Sequence, residues 1–434
     1  MKKIFVIFIV TMFVVTIPVG NSMENIFESN AIDSKQYYET SIDFEIENLL
    51  KMVNESILSY YLEKFVSFGF KMTGSDNCSR AADWIKQEFE NIGLTTYFDE
   101  WKFPRYEDKN VVAIHNGDDP NSDAVIVVSA HYDTIGHSPG ANDDGSGIAA
   151  MLTIANITSK LSFNHTVRFI AVSGEEVGTY GSFADAKNSY EAGENIIAVL
   201  NIDMVGYADK DDEKIIQIFG SKRADWIIEF SKDICNRYSM FFNLTIQYSL
   251  QYPADHESYN DFGFDGVQFI QPRPEDAYWF HSPEDTIDRI NFRYLSNVTK
   301  MLLALTFSLS QRSISIQVKI IEPYEGSMYL FDTPIFKLPC YNLYWTRIRG
   351  LTYLFGESTF KVDIYTDEVI NSVYFGVDDY IRNVCKEPPW EWEIGSGPYS
   401  FFTLHGFHRL TVCVTTNSGI VGYDEMDVYI VLPL

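Results

Sequence analysis

The sequence predicts an α/β domain, built on a mixed, largely parallel sheet flanked by helices, followed by an all-β sandwich. Three observations carry this expectation. Short apolar runs at Ala124–Ala130, Thr166–Val172 and Asn195–Ile202 alternate with stretches of helical apolar spacing, the pattern of buried parallel strands joined by helices. Each run ends in polar residues, so candidate functional groups collect at the carboxyl edge of the sheet, where open α/β folds place ligands. From about Ile314 the helical spacing stops and period two takes over, with Ile314, Ile316, Val318 and Ile320 alternating with Ser315, Gln317 and Lys319.

In chain order, Lys2-Lys3 and the apolar run Ile4 to Val19 read as the charged and apolar regions of a signal peptide over residues 1–22. The run is shorter than the roughly 20 residues of a membrane-spanning helix. Val19-Gly20-Asn21-Ser22 is a poor cleavage site, so an uncleaved N-terminal anchor is the competing expectation. Both predict an exported protein, secreted or held at the cell surface. After a polar tail over 23–41, the first domain spans 42–311. Phe44 to Phe70 and Ala81 to Ile92 have helical spacing, and Leu94–Trp101 and Asn110–His115 read as strands that lead to the strand ending at His131. The spacing of Ile148, Met151, Leu152 and Ile154 predicts a helix from Gly145 to Lys160. Strands at Ile215–Gly220 and Phe264–Ile270, a helix at Ala224–Tyr238 and a closing helix from Asn291 to Leu309 complete the domain.

The second domain, 312–434, repeats the alternation at Phe360-Val362-Ile364, Val373-Phe375-Val377, Leu410-Val412-Val414 and Met426-Val428-Ile430, which predicts a sandwich. With I-x-P-x-x-G early and L-T-V-x-V late, it resembles the immunoglobulin-like modules of bacterial and archaeal proteins. Cys413 shares the polar parity of Thr411 and Thr415, so it is expected to face outward, a poor position for a disulfide to Cys385 through the core. Trp390 and Trp392, beside Pro388-Pro389, suit a glycan or cell-surface contact, although packing is the commoner fate of such residues.

A length of 434 residues with 46% hydrophobic content supports two packed domains. The net charge of −27 argues against nucleic-acid partners and anionic membranes, since phosphate would be repelled. N-x-S/T sequons at Asn54, Asn77, Asn156, Asn164, Asn243 and Asn297 fit an exported chain. Cys78, Cys235, Cys340, Cys385 and Cys413 show no C-x-x-C spacing, which argues against a structural cysteine–zinc site.

The chemistry concentrates in His131-Tyr-Asp133 and the Gly-rich turn through Asp143-Asp144-Gly145, then Glu175-Glu176, Asp203 and His281. Alone, the first stretch also has a plainer reading, a strand followed by a capped helix. Together, two histidines and three carboxylates at strand ends suit two divalent ions, with one carboxylate shared and a position left for water.

H-Y-D, P-G-A-N-D-D-G-S-G, G-E-E, N-I-D-M and F-H-S-P-E-D-T resemble, in this order, the M28 family of zinc aminopeptidases, over about Phe44 to Leu309. The resemblance implies the fold of the zinc exopeptidases and two Zn²⁺ ions, with cobalt or manganese as alternatives. His131 and Asp203 would bind one ion, Glu176 and His281 the other, and Asp143 would bridge them. Glu175 matches the general base and Asp133 the carboxylate that orients the first histidine. A cis peptide bond between Asp143 and Asp144 is also implied. Phe280 stands where some members have a tyrosine that donates to the developing oxyanion, so that donor either comes from elsewhere, with Tyr278 as a candidate, or is absent. Asp255 and His256 match a loop beside the substrate pocket, where a helix cap is an equal reading for Asp255. The implied substrates are peptides, cleaved at the N-terminus. Rival expectations are a carboxypeptidase or dipeptidase using Arg273 for the terminal carboxylate, a glutaminyl cyclase, and a receptor-like scaffold without activity.

Overall fold

A computed structural model describes residues 40–432, apart from 211, 221–223, 250–253, 275–278, 312–315, 338–341, 344–345, 348–350, 367–368, 379, 396–403 and 418–420. The signal-peptide segment, nearly all of the polar tail, Tyr278, Ile314 and Cys340 lie outside the described residues. The chain forms two compact units. One takes the described residues up to 311 with the short hairpin β12–β13 (Asn342–Leu343, Thr346–Arg347), and the other takes the remainder from 316.

The first unit opens with α1 (Thr40–Leu50) and α2 (Glu55–Val66). The sequence predicts one helical stretch here; it is two because Asn54 adopts extended backbone and its side chain accepts from the main-chain N–H groups of Ser56 and Ile57. Capping of this kind starts a new helix rather than continuing an old one. Asn54→Ala is expected to destabilise the unit by about 1 kcal/mol, read as a lower denaturation midpoint with unchanged m-value. The chain continues through α3 (Asp76–Asn91), β1 (Thr95–Lys102), β2 (Glu107–His115), β3 (Ala124–His131), α4 (Gly145–Thr158), β4 (Thr166–Val172), α5 (Tyr180–Ala192) and β5 (Asn195–Ile202). It then forms β6 (Ile215–Gly220), α6 (Asp225–Arg237), α7 (Ser239–Phe242), β7 (Thr245–Ser249), α8 (Asp255–Asn260), β8 (Gly266–Ile270) and α9 (Phe292–Gln311).

These strands make one mixed sheet in the order β1-β2-β4-β3-β5-β8-β6-β7, parallel across β4-β3-β5-β8. The continuous apolar run of β3 follows from cover on both faces. Ile126 and Val128 join the core with residues of α1 to α4, α6 and α9, while Val127 joins Val199, Ala186 of α5 and Tyr259 of α8 on the opposite face. In α9, Met301 to Leu309 are buried almost without exception, as the side of a closing helix should be. Among the described residues no helix is long and apolar enough to cross a membrane.

The second unit has a seven-stranded sheet, β11-β10-β14-β20-β19-β16-β17, and a three-stranded sheet, β18-β15-β9. The strands are β9 (Gln317–Glu322), β10 (Ser327–Leu330), β11 (Thr333–Lys337), β14 (Thr352–Phe355), β15 (Ser358–Tyr365), β16 (Ile370–Val377), β17 (Tyr380–Cys385), β18 (Glu391–Ile394), β19 (Gly406–Thr416) and β20 (Val421–Val431). Phe360 and Val362 of the small sheet share one core with Phe375, Val412 and Val428 of the large one, and the Phe360 and Phe375 rings lie 5.0 Å apart. Trp390 and Trp392 are partly buried against that core. Cys413 does sit on the face opposite Val412 and Val414, but it is fully buried there rather than exposed, because Tyr374, Ile381, Val421 and Tyr423 cover it. Both Cys385 and Cys413 are free thiols.

Candidate metal centre

The strand order reverses direction at β3, which has β4 on one side and β5 on the other. That switch point opens a crevice at the carboxyl ends. His131 ends β3; the Glu175-Glu176 pair follows β4; Asp203 follows β5. Asp143 and Asp144 arrive on the turn that enters α4. Asp144 caps that helix, its Oδ1 accepting from the N–H groups of Gly147 (2.8 Å) and Met204 (3.1 Å). A Cβ at Gly147 would lie 2.3 Å from the Asp144 carboxylate, so only glycine lets the helix start close so tightly. The Asp143–Asp144 peptide is cis.

Asp143 stands between the two histidines. Its Oδ1 is 3.1 Å from His131 Nε2 and its Oδ2 is 3.1 Å from His281 Nε2. Glu176 Oε2 lies 2.9 Å from the same nitrogen of His281, and Asp203 Oδ1 lies 3.7 Å from that of His131. Two groups of donor atoms thus share one aspartate: His131, Asp143 and Asp203, and Asp143, Glu176 and His281.

The site is poor in compensating base. Burial alone would pull His131 down, but Asp133, Asp143 and Asp203 override it and hold the imidazole well above its ordinary range. Hydrogen bonds to Asp143 and Glu176 lift His281 to about 10. Asp143 is held low against its burial by those same histidines. Burial pushes Glu176 up to about 7 despite His281. It pushes Glu175 well above the carboxylate range against the pull of His131, with Asp255, Asp203 and Glu176 adding to the rise. So much buried negative charge demands cations. Asp203 Oδ1 supplies an independent sign of fit: it is buried with no hydrogen-bond partner among the described residues, while its other oxygen accepts from Gln268 Nε2 at 2.7 Å. Imidazoles and carboxylates together form the donor set that borderline divalent ions take, and binding would release the imidazole protons.

Asp133 adjoins His131, as expected, and has further partners. Its carboxylate is 3.7 Å from His131 Nδ1, which instead meets the Asp133 main-chain oxygen at 3.1 Å. The carboxylate accepts from Thr73 Oγ1 (2.8 Å) and the main-chain N–H groups of Glu175 (3.2 Å) and Glu176 (3.3 Å), so it fixes the loop that carries the two glutamates. Asp255 is the first residue of α8 and not its cap, which is Ala254. Its Oδ1 accepts from Ser182 Oγ at 2.6 Å, and its buried Oδ2 has no hydrogen-bond partner among the described residues. His256 is fully buried, with Nε2 3.3 Å from Glu257. Phe280 packs with Met204, Phe219 and Ile270, and Arg273 is paired with Asp212.

Sequence reasoning missed two supports. Asp285 accepts from the N–H groups of Asn142 (2.8 Å) and Asp143 (3.1 Å), tying the turn of the shared aspartate to the segment of His281. Gln268, which holds Asp203, announces itself only as a polar residue inside the apolar run of β8.

With this geometry in view, comparisons with known proteins place the chain. Residues 110–306 match the model of peptidase family M28. Aminopeptidase YwaD of Bacillus subtilis (strain 168) is 28% identical over 211 residues, covering 47% of this chain and 45% of that protein, so the match spans less than half of the relative's length. The crystal structure of LapB from Legionella pneumophila superposes with a TM-score of 0.57 at 25% identity, covering 62% of this chain and 75% of that one. A glutaminyl cyclase from Bacteroides thetaiotaomicron shares the fold, with a TM-score of 0.54 at 18% identity over 59% of this chain and 98% of its own. The sheet, the clustered ligand set and the family match agree: residues 110–306 are similar to peptidase family M28.

Proposed function

We propose that the chain is an exported dinuclear zinc aminopeptidase. The observation that carries this reading is Asp143, which offers one oxygen toward each of two histidines, as a carboxylate shared by two ions must. His131 and Asp203 would hold one zinc, Glu176 and His281 the other, and the pair would supply an activated water and polarise the scissile carbonyl. Glu175 would take one proton from a water as that water's oxygen bonds to the scissile carbonyl carbon, and would return the proton to the amine nitrogen as the C–N bond breaks. Asp133 aims Glu175 and Glu176 through their main-chain N–H groups. Phe280 packs in an apolar cluster and has no donor to offer a developing oxyanion.

The excess of carboxylate over base favours a substrate α-ammonium over an α-carboxylate. Arg273, the residue a carboxypeptidase would recruit, is already paired with Asp212. The test is metal analysis of the purified chain together with aminoacyl and carboxyl-terminal reporter peptides and an N-terminal glutamine substrate. Two zinc ions per chain and cleavage of the aminoacyl reporters alone are expected. One ion with cyclisation of glutamine would identify a cyclase. Absence of both metal and turnover would leave the scaffold reading.

A further inference from the structure

Lys71 has no part in the chemistry above, yet it is wholly buried. A lysine removed from water must have its ammonium satisfied. Its Nζ donates to the carbonyl oxygens of Gly69 (2.9 Å) and Pro139 (2.8 Å) and lies 4.1 Å from the centre of the Phe65 ring. Burial pulls its pKa down to about 7, while Cys78, Asp285 and Asp133 pull it back up. Its main chain is equally committed: the N–H donates to Thr134 Oγ1 at 2.9 Å, and its carbonyl accepts from Thr134 N at 3.0 Å. One residue therefore joins the turn that follows His131 and Asp133 to the turn that enters α4.

The second turn transmits position faithfully. Gly140, next to Pro139, has φ +67°, and a Cβ there would meet the Asp143 carbonyl at 2.6 Å and Thr134 Cγ2 at 2.4 Å. Gly140 thus lies against both Thr134 and the Asp143 carbonyl, and Asp285 closes the other side through the N–H groups of Asn142 and Asp143. A displacement of the Pro139 carbonyl moves Gly140, the next residue, and in a packed interior Gly140 bears on the Asp143 carbonyl.

We propose that Lys71 is a positioning residue of the two-ion site: by gripping the Pro139 carbonyl, its ammonium fixes the turn that holds Asp143 between His131 and His281. This rests on the two-ion reading of the site. Lys71→Met keeps the apolar stem and removes the donor, leaving two buried carbonyls unpaired. In the full chain, zinc affinity measured by competition with a chromophoric chelator should fall about 10- to 100-fold, the size usual for residues that support metal ligands. At saturating zinc, kcat should fall with KM little changed, and Lys71→Arg should restore most of both losses. Phe65→Leu disturbs the same pocket without touching the donor, so it should lower Tm while zinc affinity stays at the parent value. Parent-like zinc affinity in Lys71→Met overturns the proposal, and so does an equal loss in Phe65→Leu, which would make the effect one of packing. If Lys71→Met does not fold, Lys71→Gln retains one donor group, and an affinity between parent and a tenfold loss is expected, with parent affinity again overturning it. A parent chain that binds no zinc overturns the two-ion reading and the proposal with it, an outcome distinct from all the others.

Discussion

Glu175→Gln is expected to lower kcat about a hundredfold to ten-thousandfold while the chain still binds two zinc ions. The substitution keeps the shape and the main-chain N–H that Asp133 accepts, and removes only the proton acceptor. General-base catalysis is worth about that much. The neighbour makes a control, because Glu176 Oε2 touches His281 Nε2 and belongs to a donor group. Glu176→Gln should weaken one ion and lose activity in step with metal content. If Glu175→Gln turns over at the parent rate with both ions bound, the assigned mechanism is wrong.

Asp143→Asn should have the larger effect on metal. Every other residue of the two donor groups serves one group, whereas Asp143 serves both, one oxygen to each. An amide has a single oxygen and no charge, so it cannot replace a bridging carboxylate. Both ions should be lost together, with an affinity drop beyond the roughly hundredfold that follows loss of a supporting residue. Activity at micromolar zinc should vanish. Stoichiometric analysis after gel filtration checks this: one retained ion per chain would show that Asp143 serves a single site. The unbound variant should also lose the rise in Tm that excess zinc gives the parent, since a ligand stabilises only the state that binds it.

The sequence by itself determined the elements whose cause is local. The apolar runs that became β3, β4 and β5, the spacing that became α4 and α9, and the alternation of the second unit all follow from side-chain periodicity within a single segment. The ligand set was legible for a related reason: His131, Glu176 and Asp203 stand at or just after the ends of such runs, and Asp143 and His281 stand in short motifs whose residue types have few other uses. Tertiary structure decided what depends on a distant partner. Cys413 has the parity the sequence assigns it, yet its exposure was set by Tyr374 and Tyr423 on neighbouring strands. Asp133 faces His131 in sequence but spends its carboxylate on Thr73 and the Glu175-Glu176 loop, more than forty positions away in one direction and sixty in the other. Gln268 and Lys71 carry no motif of their own, and Asp285 lies in the F-H-S-P-E-D-T motif without its role being legible there, because supporting a ligand requires only a donor or acceptor at the right place. Many residue types can meet that need, and only the packed fold states where the place is.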